Sequence, residues 1–203
     1  MDTNPISISE ELYFHRVFMR TNREPSVIDV EPIVGTTEIL TFISDGLDHA
    51  LFVRDIEGWV SPFDAGEIQR DNTVKRHFNF DIGDAIVHRC AIEESFRIAE
   101  ENAFDADKLL DLPTQEATVY VQKFIGLVVV NTRPVNISFI YALAFACSLC
   151  GIAAENCKLH LMSCVALSTA FIFQLHFPYE WIYYDFKQWA FAYIFRHKQI
   201  HGG

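Results

Sequence analysis

The chain is 203 residues long and half hydrophobic, with 27 acidic against 16 basic side chains and a formal net charge of −11. That length suits one domain, or one small domain with an embedded hairpin, and the hydrophobic fraction excludes a disordered chain. The acidic balance argues against a nucleic-acid partner, because phosphate backbones are bound by basic surfaces.

Charge and hydropathy divide the chain into two parts. Residues 1–134 hold 12 basic and 24 acidic side chains, whereas residues 135–203 hold 4 and 3. A polar front and a nearly uncharged rear suggest two different surroundings. We therefore predict an α+β fold, in which an acidic mixed N-terminal domain precedes an apolar helical hairpin and an aromatic C-terminal helix.

The N-terminal segment combines a loop signal with a helix start. Asn4 and Pro5 begin a loop, and Ser9 precedes two glutamates at the expected start of a helix over 12–19. The segment lacks the basic start and apolar core of a signal peptide, so we expect no secretory leader. Prolines and a glycine then predict loop or extended structure over 22–38.

Two short runs carry the signature of a β-hairpin. EILTFIS (38–44) and ALFVRDI (50–56) are rich in β-branched and aromatic residues, and DGLDH (45–49) separates them. Five residues that contain Asp-Gly suit a hairpin turn. The segment TVYVQKFIGLVVVN (118–131) is also β-branched and apolar, which predicts a strand. A segment lying on a membrane surface is the alternative for that stretch.

The clearest helix of the front half spans residues 84–103. Asp81 or Asp84 can cap it, because a short acceptor side chain satisfies the free N–H groups of the first turn. Glu93 and Arg97 are spaced as an i,i+4 ion pair on the outer face. The inner stripe consists of Ala85, Ile92, Phe96, Ala99 and Ala103.

The longest apolar stretch lies at 135–177, where two uncharged blocks flank four polar residues. Its blocks 135–154 and 159–177 contain 20 and 19 residues, close to the roughly 20 that cross a bilayer as a helix. The intervening ENCK offers a turn that depends on Asn156. Basic residues outside both blocks place both termini on one cytoplasm-like or matrix-like face. The alternatives are two helices buried inside protein, or one continuous helix.

The C-terminal segment is aromatic and ends in a basic tail, RHK at 196–198. It has too many apolar residues for a freely exposed helix, so we expect it to contact lipid or a partner. The predicted organisation begins with an acidic soluble α+β domain over 1–118 and a connecting strand or interfacial segment over 119–134. A hairpin over 135–177, which we predict to be transmembrane, follows, and then an aromatic interfacial or packing helix with a basic tail over 178–203.

Four residues near the hairpin turn have the types of a zinc or iron–sulfur site, namely Cys147, Cys150, Cys157 and His160. Zinc requires ligands that converge as a tetrahedron, usually from loops, whereas these positions lie in apolar helical sequence. The chain has five cysteines, an odd count, and four of them lie inside the hairpin. We therefore expect reduced thiols that pack as small apolar residues, including the heptad-spaced Cys150, Cys157 and Cys164.

Other candidate ligands occur in the front half and in the hairpin. The set His77, Asp81, Asp84 and His88 could bind a metal or orient a histidine, although capping and surface positions are the simpler interpretation. The glutamates at 93, 94, 100 and 101 lack a Glu-x-x-His partner, and we interpret them as a solvated face. His160 and His176 are functional candidates if the hairpin spans a bilayer.

The sequence contains no P-loop, dinucleotide-binding, zinc-protease or serine-hydrolase motif. We assign no catalytic, cofactor or metal residue. We predict a non-catalytic structural or accessory subunit of a larger membrane assembly, with lipid and other protein subunits as partners and no nucleic acid. An organellar respiratory or ATP-synthase-like complex, as in the mitochondrial inner membrane, is one setting. The alternatives are a soluble or viral assembly protein with buried apolar helices, and a small metal-dependent enzyme.

Overall fold

The structure, a computed structural model, describes residues 31–63 and 74–201, with side chains as far as residue 198. The predicted N-terminal loop and the helix over 12–19 lie outside these ranges. The described residues form eight α-helices: α1 (Thr36–Val53), α2 (Phe80–Ile86), α3 (Arg89–Glu101), α4 (Ala106–Asp111), α5 (Thr114–Asn131), α6 (Val135–Glu155), α7 (Leu159–His176) and α8 (Glu180–His201).

The predicted α+β class is wrong, because the two ranges that the structure describes contain no sheet. The two runs expected to form a β-hairpin belong to the single helix α1. Its buried residues Ile39, Phe42, Ile43 and Leu47 recur at intervals of three and four, which is the period of one helix face. Gly46, at the expected turn, is instead a contact point within the helix and lies against Leu143.

The predicted strand over 118–131 is also wrong, since these residues form most of α5. Pro113 occupies the position before the first helical residue, where proline's missing N–H removes no hydrogen bond. The buried residues recur with a helical period rather than the alternation of a strand. Tertiary packing has therefore overridden the β propensity of the segment. The residues that α5 buries are Ala117, Val121, Phe124, Ile125, Val128 and Val129.

The predicted helix over 84–103 is divided into α2 and α3. Neither aspartate caps it: the Asn79 side chain accepts the Ile82 N–H at 3.0 Å and caps α2. His88 caps α3, with its Nδ1 accepting the Cys90 N–H at 3.3 Å. The predicted stripe is partly confirmed, except that Ala103 is exposed and adopts a φ of 66° beyond the end of α3.

Helix α6 is the centre of the bundle, because α1, α2, α3, α5, α7 and α8 all pack against it. Phe139, which is completely buried, lies with its ring centroid 5.5 Å from that of Phe42 and 4.0 Å from that of Phe186. A helix that is apolar on every side is one that is enclosed on every side. The composition of α6 is therefore explained by its six neighbours.

The predicted pair of helices is confirmed, and the turn between them has a definite geometry. Cys157 adopts a left-handed φ of 55°. The Lys158 N–H donates to the Ala153 carbonyl at 2.8 Å, and the Cys157 N–H donates to the Ala154 carbonyl at 3.0 Å. This is the Schellman arrangement that ends many helices. A continuous helix is thereby excluded, although the turn contains neither glycine nor proline.

Candidate functional site

The cysteine and histidine set near the hairpin turn does not converge. Cys147 is buried, with its Sγ 3.6 Å from the Gly46 carbonyl oxygen, whereas Cys157 is exposed in the turn and His160 is exposed on α7. Burial raises the pKa of the Cys150 thiol to about 12, which disfavours the thiolate that metals bind. Within 31–63 and 74–201, no three His, Cys, Asp or Glu side chains are grouped as a metal site.

The interpretation of the cysteines as packing residues holds only in part. Cys150 and Cys164 are buried, as a packing role requires. Cys157 is exposed, and the prediction that it packs at a heptad position is wrong because the helix ends before it. Its backbone conformation, rather than its thiol, shapes the turn.

The second predicted set, made up of His77, Asp81, Asp84 and His88, is also dispersed. His77 is 3% exposed and its ring lies 5.7 Å from that of Tyr183 on α8. His88 contacts the ring of His197 at 5.4 Å. Asp84 is exposed and acts on His49, whose pKa is lowered by burial and partly raised by this carboxylate. His77, Asp84 and His88 therefore interact with three different residues, namely Tyr183, His49 and His197.

The glutamates of α3 form a solvated charged face, although not with the predicted partners. Glu93 pairs with Arg89 at 2.6 Å, and the predicted pair with Arg97 is wrong. Arg97 instead bridges Glu94 at 2.8 Å and Glu101 at 2.6 Å. All five side chains of these ion pairs are substantially exposed, so solvent screening leaves each pair with little effect on stability.

This charged face lies level with the middle of α6. The ring of Phe96, next to Arg97, lies 5.0 Å from the ring of Phe145, which is the central residue of α6. Arg97 follows Phe96 in the sequence, so the Arg97 ion pairs lie close to the level of the α6 midpoint.

Two helices, α6 and α7, are long and apolar enough to cross a membrane. In an 18-residue window of each helix, the mean hydropathy is 2.1 for α6 and 1.4 for α7. Of the residues in those windows, 78% in α6 and 56% in α7 are buried within the protein. Length and composition give weak support for membrane association, because the core helix of a bundle meets the same criteria. The two helices differ in burial, and the less buried α7 has an exposed side.

Helices α5 and α7 run side by side in the same direction. The Cys164 Sγ donates to the Thr114 carbonyl at 3.4 Å, and the Ser168 hydroxyl donates to the Thr118 carbonyl at 3.3 Å. A step of four residues on one helix thus matches a step of four on the other. Small side chains at these positions allow the helices to approach closely.

The outer side of this helix pair carries five exposed apolar side chains, with Lys123 and Gln174 exposed among them. Leu167, Phe171 and Leu175 follow one another at intervals of four along α7 and are 51%, 52% and 62% exposed. On α5, Val119 and Val130 are separated by about three turns and are 64% and 57% exposed. The parallel register places all five side chains on the same side of the pair, away from the core. We call these five residues the α5/α7 face.

Gly126 is half-buried on α5, within the span of the α5/α7 face. Gly126 lies between Val119 and Val130, and a Cβ added there would meet only the Ile172 side chain, at 3.8 Å. The space outside the α5 backbone is therefore open at Gly126. Exposed apolar side chains grouped on one side of a folded protein are a feature of interaction sites.

No protein-family model, curated protein or solved structure matches this chain.

Sequence reasoning missed the α5/α7 face because it assigned α5 to a strand. A helical reading of 114–131 would have placed Val119 and Val130 on one side. Leu167, Phe171 and Leu175 on α7 were recognisable as apolar residues in the sequence. An enclosed helix and a half-exposed helix can nevertheless have the same composition. Only the packing distinguishes them.

Proposed function

We propose that this chain is a non-catalytic accessory subunit that binds another protein through the α5/α7 face. The observation that carries the proposal is the set of five exposed apolar side chains on one side of the α5/α7 helix pair. Water contact with such a surface is unfavourable, and a partner that covers it gains the hydrophobic free energy of both surfaces. The exposed apolar side chains at helical spacing on α7 suit an amphipathic partner helix laid along this face.

The proposal treats α6 and α7 as the core of the bundle rather than as membrane spans. A bilayer centred on α6 would place the Arg97 ion pairs in hydrocarbon. A charged side chain at the centre of a membrane costs about 2.5–3.5 kcal/mol on insertion scales, and more in simulations. The all-round burial of α6 by six helices supports the same interpretation. The partner of the α5/α7 face is accordingly proposed to be protein and not lipid.

The test measures the size of the native assembly that contains the chain. Tagged full-length protein is expressed in the source cells, and detergent-free extracts are separated by size exclusion. The wild type should elute well above the 23.3 kDa of the single chain. The double variant Phe171→Glu/Leu175→Glu should elute as the free chain, because two carboxylates cannot be buried against an apolar partner.

The matched control is Phe52→Glu, which changes a phenylalanine that is 81% exposed on α1. It should elute with the wild type. Elution of the wild type as a free chain would contradict the proposal, as would co-elution of the double variant with the wild type. Recovery of the wild type only from detergent-solubilised membranes would favour lipid as the partner and would also contradict it.

A further inference from the structure

A surface pocket lies at the start of α8, and its chemistry suits a cation. The cavity has a volume of about 350 Å³. Three carboxylates and two large aromatic rings line it together with a single lysine. Aromatic faces carry negative charge density, so carboxylates and rings together attract an ammonium or guanidinium group. The lining residues are Glu31, Pro32, Lys75, Glu180, Trp181, Tyr184 and Asp185.

The walls of this pocket are fixed by backbone hydrogen bonds between distant parts of the chain. The Glu180 N–H donates to the Pro32 carbonyl at 2.9 Å, and the Val34 N–H donates to the Pro178 carbonyl at 2.8 Å. An indole hydrogen bond adds to these, since the Trp181 Nε1–H donates to a Glu31 carboxylate oxygen at 3.2 Å. The aromatic and acidic walls are therefore held in place before any ligand arrives.

The chain's own Lys75 demonstrates what the pocket accepts. Its ammonium forms an ion pair with the Glu180 carboxylate and lies 5.4 Å from the centroid of the Tyr184 ring. Lys75 is nevertheless 48% exposed, so its side chain can leave without uncovering the core. It occupies the pocket as a replaceable internal ligand.

We propose that this pocket binds a lysine or arginine side chain of a partner protein, which displaces Lys75. A protein segment fits better than a free amine because an exposed aromatic stripe leads away from the pocket along α8. Tyr184, Phe191 and Phe195 lie at intervals of seven and four, with exposures of 65%, 59% and 54%. A segment with a basic anchor followed by apolar side chains would match both features.

The pocket and the α5/α7 face share no residue. The titration below and the size-exclusion experiment above can therefore fail separately.

The test uses full-length ¹⁵N-labelled protein and the probe Nα-acetyl-lysine methylamide, with the Trp181 indole N–H resonance as the reporter. The indole resonance is assigned with Trp181→Phe. Lys75→Met should bind the probe about tenfold more tightly than the wild type, because it removes an internal competitor of ordinary cation–π and ion-pair strength. Adding Glu180→Gln to Lys75→Met should weaken binding about tenfold through loss of the anionic wall.

Two controls make the result specific. The norleucine analogue of the probe, which lacks the ammonium, should leave the Trp181 resonance unshifted. Lys108→Met removes another lysine that lies over a tyrosine ring, at 5.5 Å from Tyr120, and it should bind the probe like the wild type.

Equal affinity of Lys75→Met and the wild type would overturn the proposal. Equal shifts with the norleucine analogue would overturn it as well, as would binding to Lys75→Met that Glu180→Gln leaves unchanged. Helical circular dichroism of every variant confirms that each is folded before titration.

Discussion

Truncation of Phe145 tests the role of α6 as a protein core. Phe145 is fully buried at the midpoint of α6, with its ring 5.0 Å from Phe96 and 5.2 Å from Phe104 in edge-to-face contacts. Phe→Ala changes in cores cost about 3–5 kcal/mol, and each aromatic pair contributes about 0.5–1.5 kcal/mol beyond its buried area. We expect Phe145→Ala to lower the free energy of unfolding by about 4 kcal/mol.

The assay is urea denaturation in detergent-free buffer, followed by circular dichroism and tryptophan fluorescence. A domain of ordinary stability unfolds at about 5–15 kcal/mol, so Phe145→Ala leaves a measurable transition or unfolds the protein outright. Phe145→Leu, with an expected cost of about 1.5 kcal/mol, keeps the comparison quantitative in the second case. The control Phe195→Ala, at an exposed position on α8, should change stability by less than about 0.5 kcal/mol. Equal effects of Phe145→Ala and Phe195→Ala would refute the placement of Phe145.

Three further predictions concern the turn, the histidines and the thiols. Cys157→Gly should raise the free energy of unfolding by about 1 kcal/mol, because glycine adopts a left-handed φ without the cost of a Cβ; the same urea assay measures it. Stability should fall as the pH drops below about 6.5, because the pKa of His77 is lowered in the folded protein. Burial is the main cause of this shift; the charges of Lys75 and Lys187 add to the shift, and that of Glu38 opposes it. Maleimide should label Cys157 in the native protein and Cys150 only after unfolding, since the first is exposed and the second is buried; peptide mass mapping locates the label.

Each of these predictions has a contrary outcome and a control. Cys157→Ala should match the wild type, and a gain as large as that of Cys157→Gly would argue against the left-handed conformation. For the pH effect, the folded state keeps His77 neutral while the unfolded chain takes up a proton. Stability therefore rises with pH until the pH reaches about 6.5. In a His77→Leu variant the free energy of unfolding should change less with pH than in the wild type. An unchanged pH dependence would assign the effect to another group. Rapid native labelling of Cys150 would contradict its burial.

The sequence predicted the α6–α7 pair correctly because its signal was compositional. Two uncharged runs of helical length, separated by four polar residues, leave few alternatives. The turn itself was harder to predict, since it uses Cys157 in a conformation that glycine usually supplies. No local rule anticipates a cysteine there.

The errors in α1 and α5 have a common physical cause. Both segments are rich in β-branched and aromatic residues, and such propensities yield to burial against a central helix. In α1 the Asp-Gly signal at 45–46 resembled a hairpin turn, whereas Gly46 lies inside the helix and packs against Leu143. Counting the three- and four-residue intervals of the buried side chains would have favoured a helix.

The candidate sites depended on tertiary structure in a similar way. Lys75 and Glu180 are separated by 105 positions, so no sequence pattern joins them. The cysteine and histidine sets had suggestive spacing, yet helix geometry directs Cys147 and Cys157 to different surroundings. Spacing predicts a site only when the intervening structure is known.

Alkaline carbonate extraction of membranes from cells that express the full chain tests the central claim most directly. If α6 and α7 form the core of a bundle that binds another protein, the chain should be released into the supernatant together with peripheral proteins. Retention in the membrane pellet, alongside an integral membrane marker, would contradict this account and favour the bilayer as the surroundings of α6 and α7.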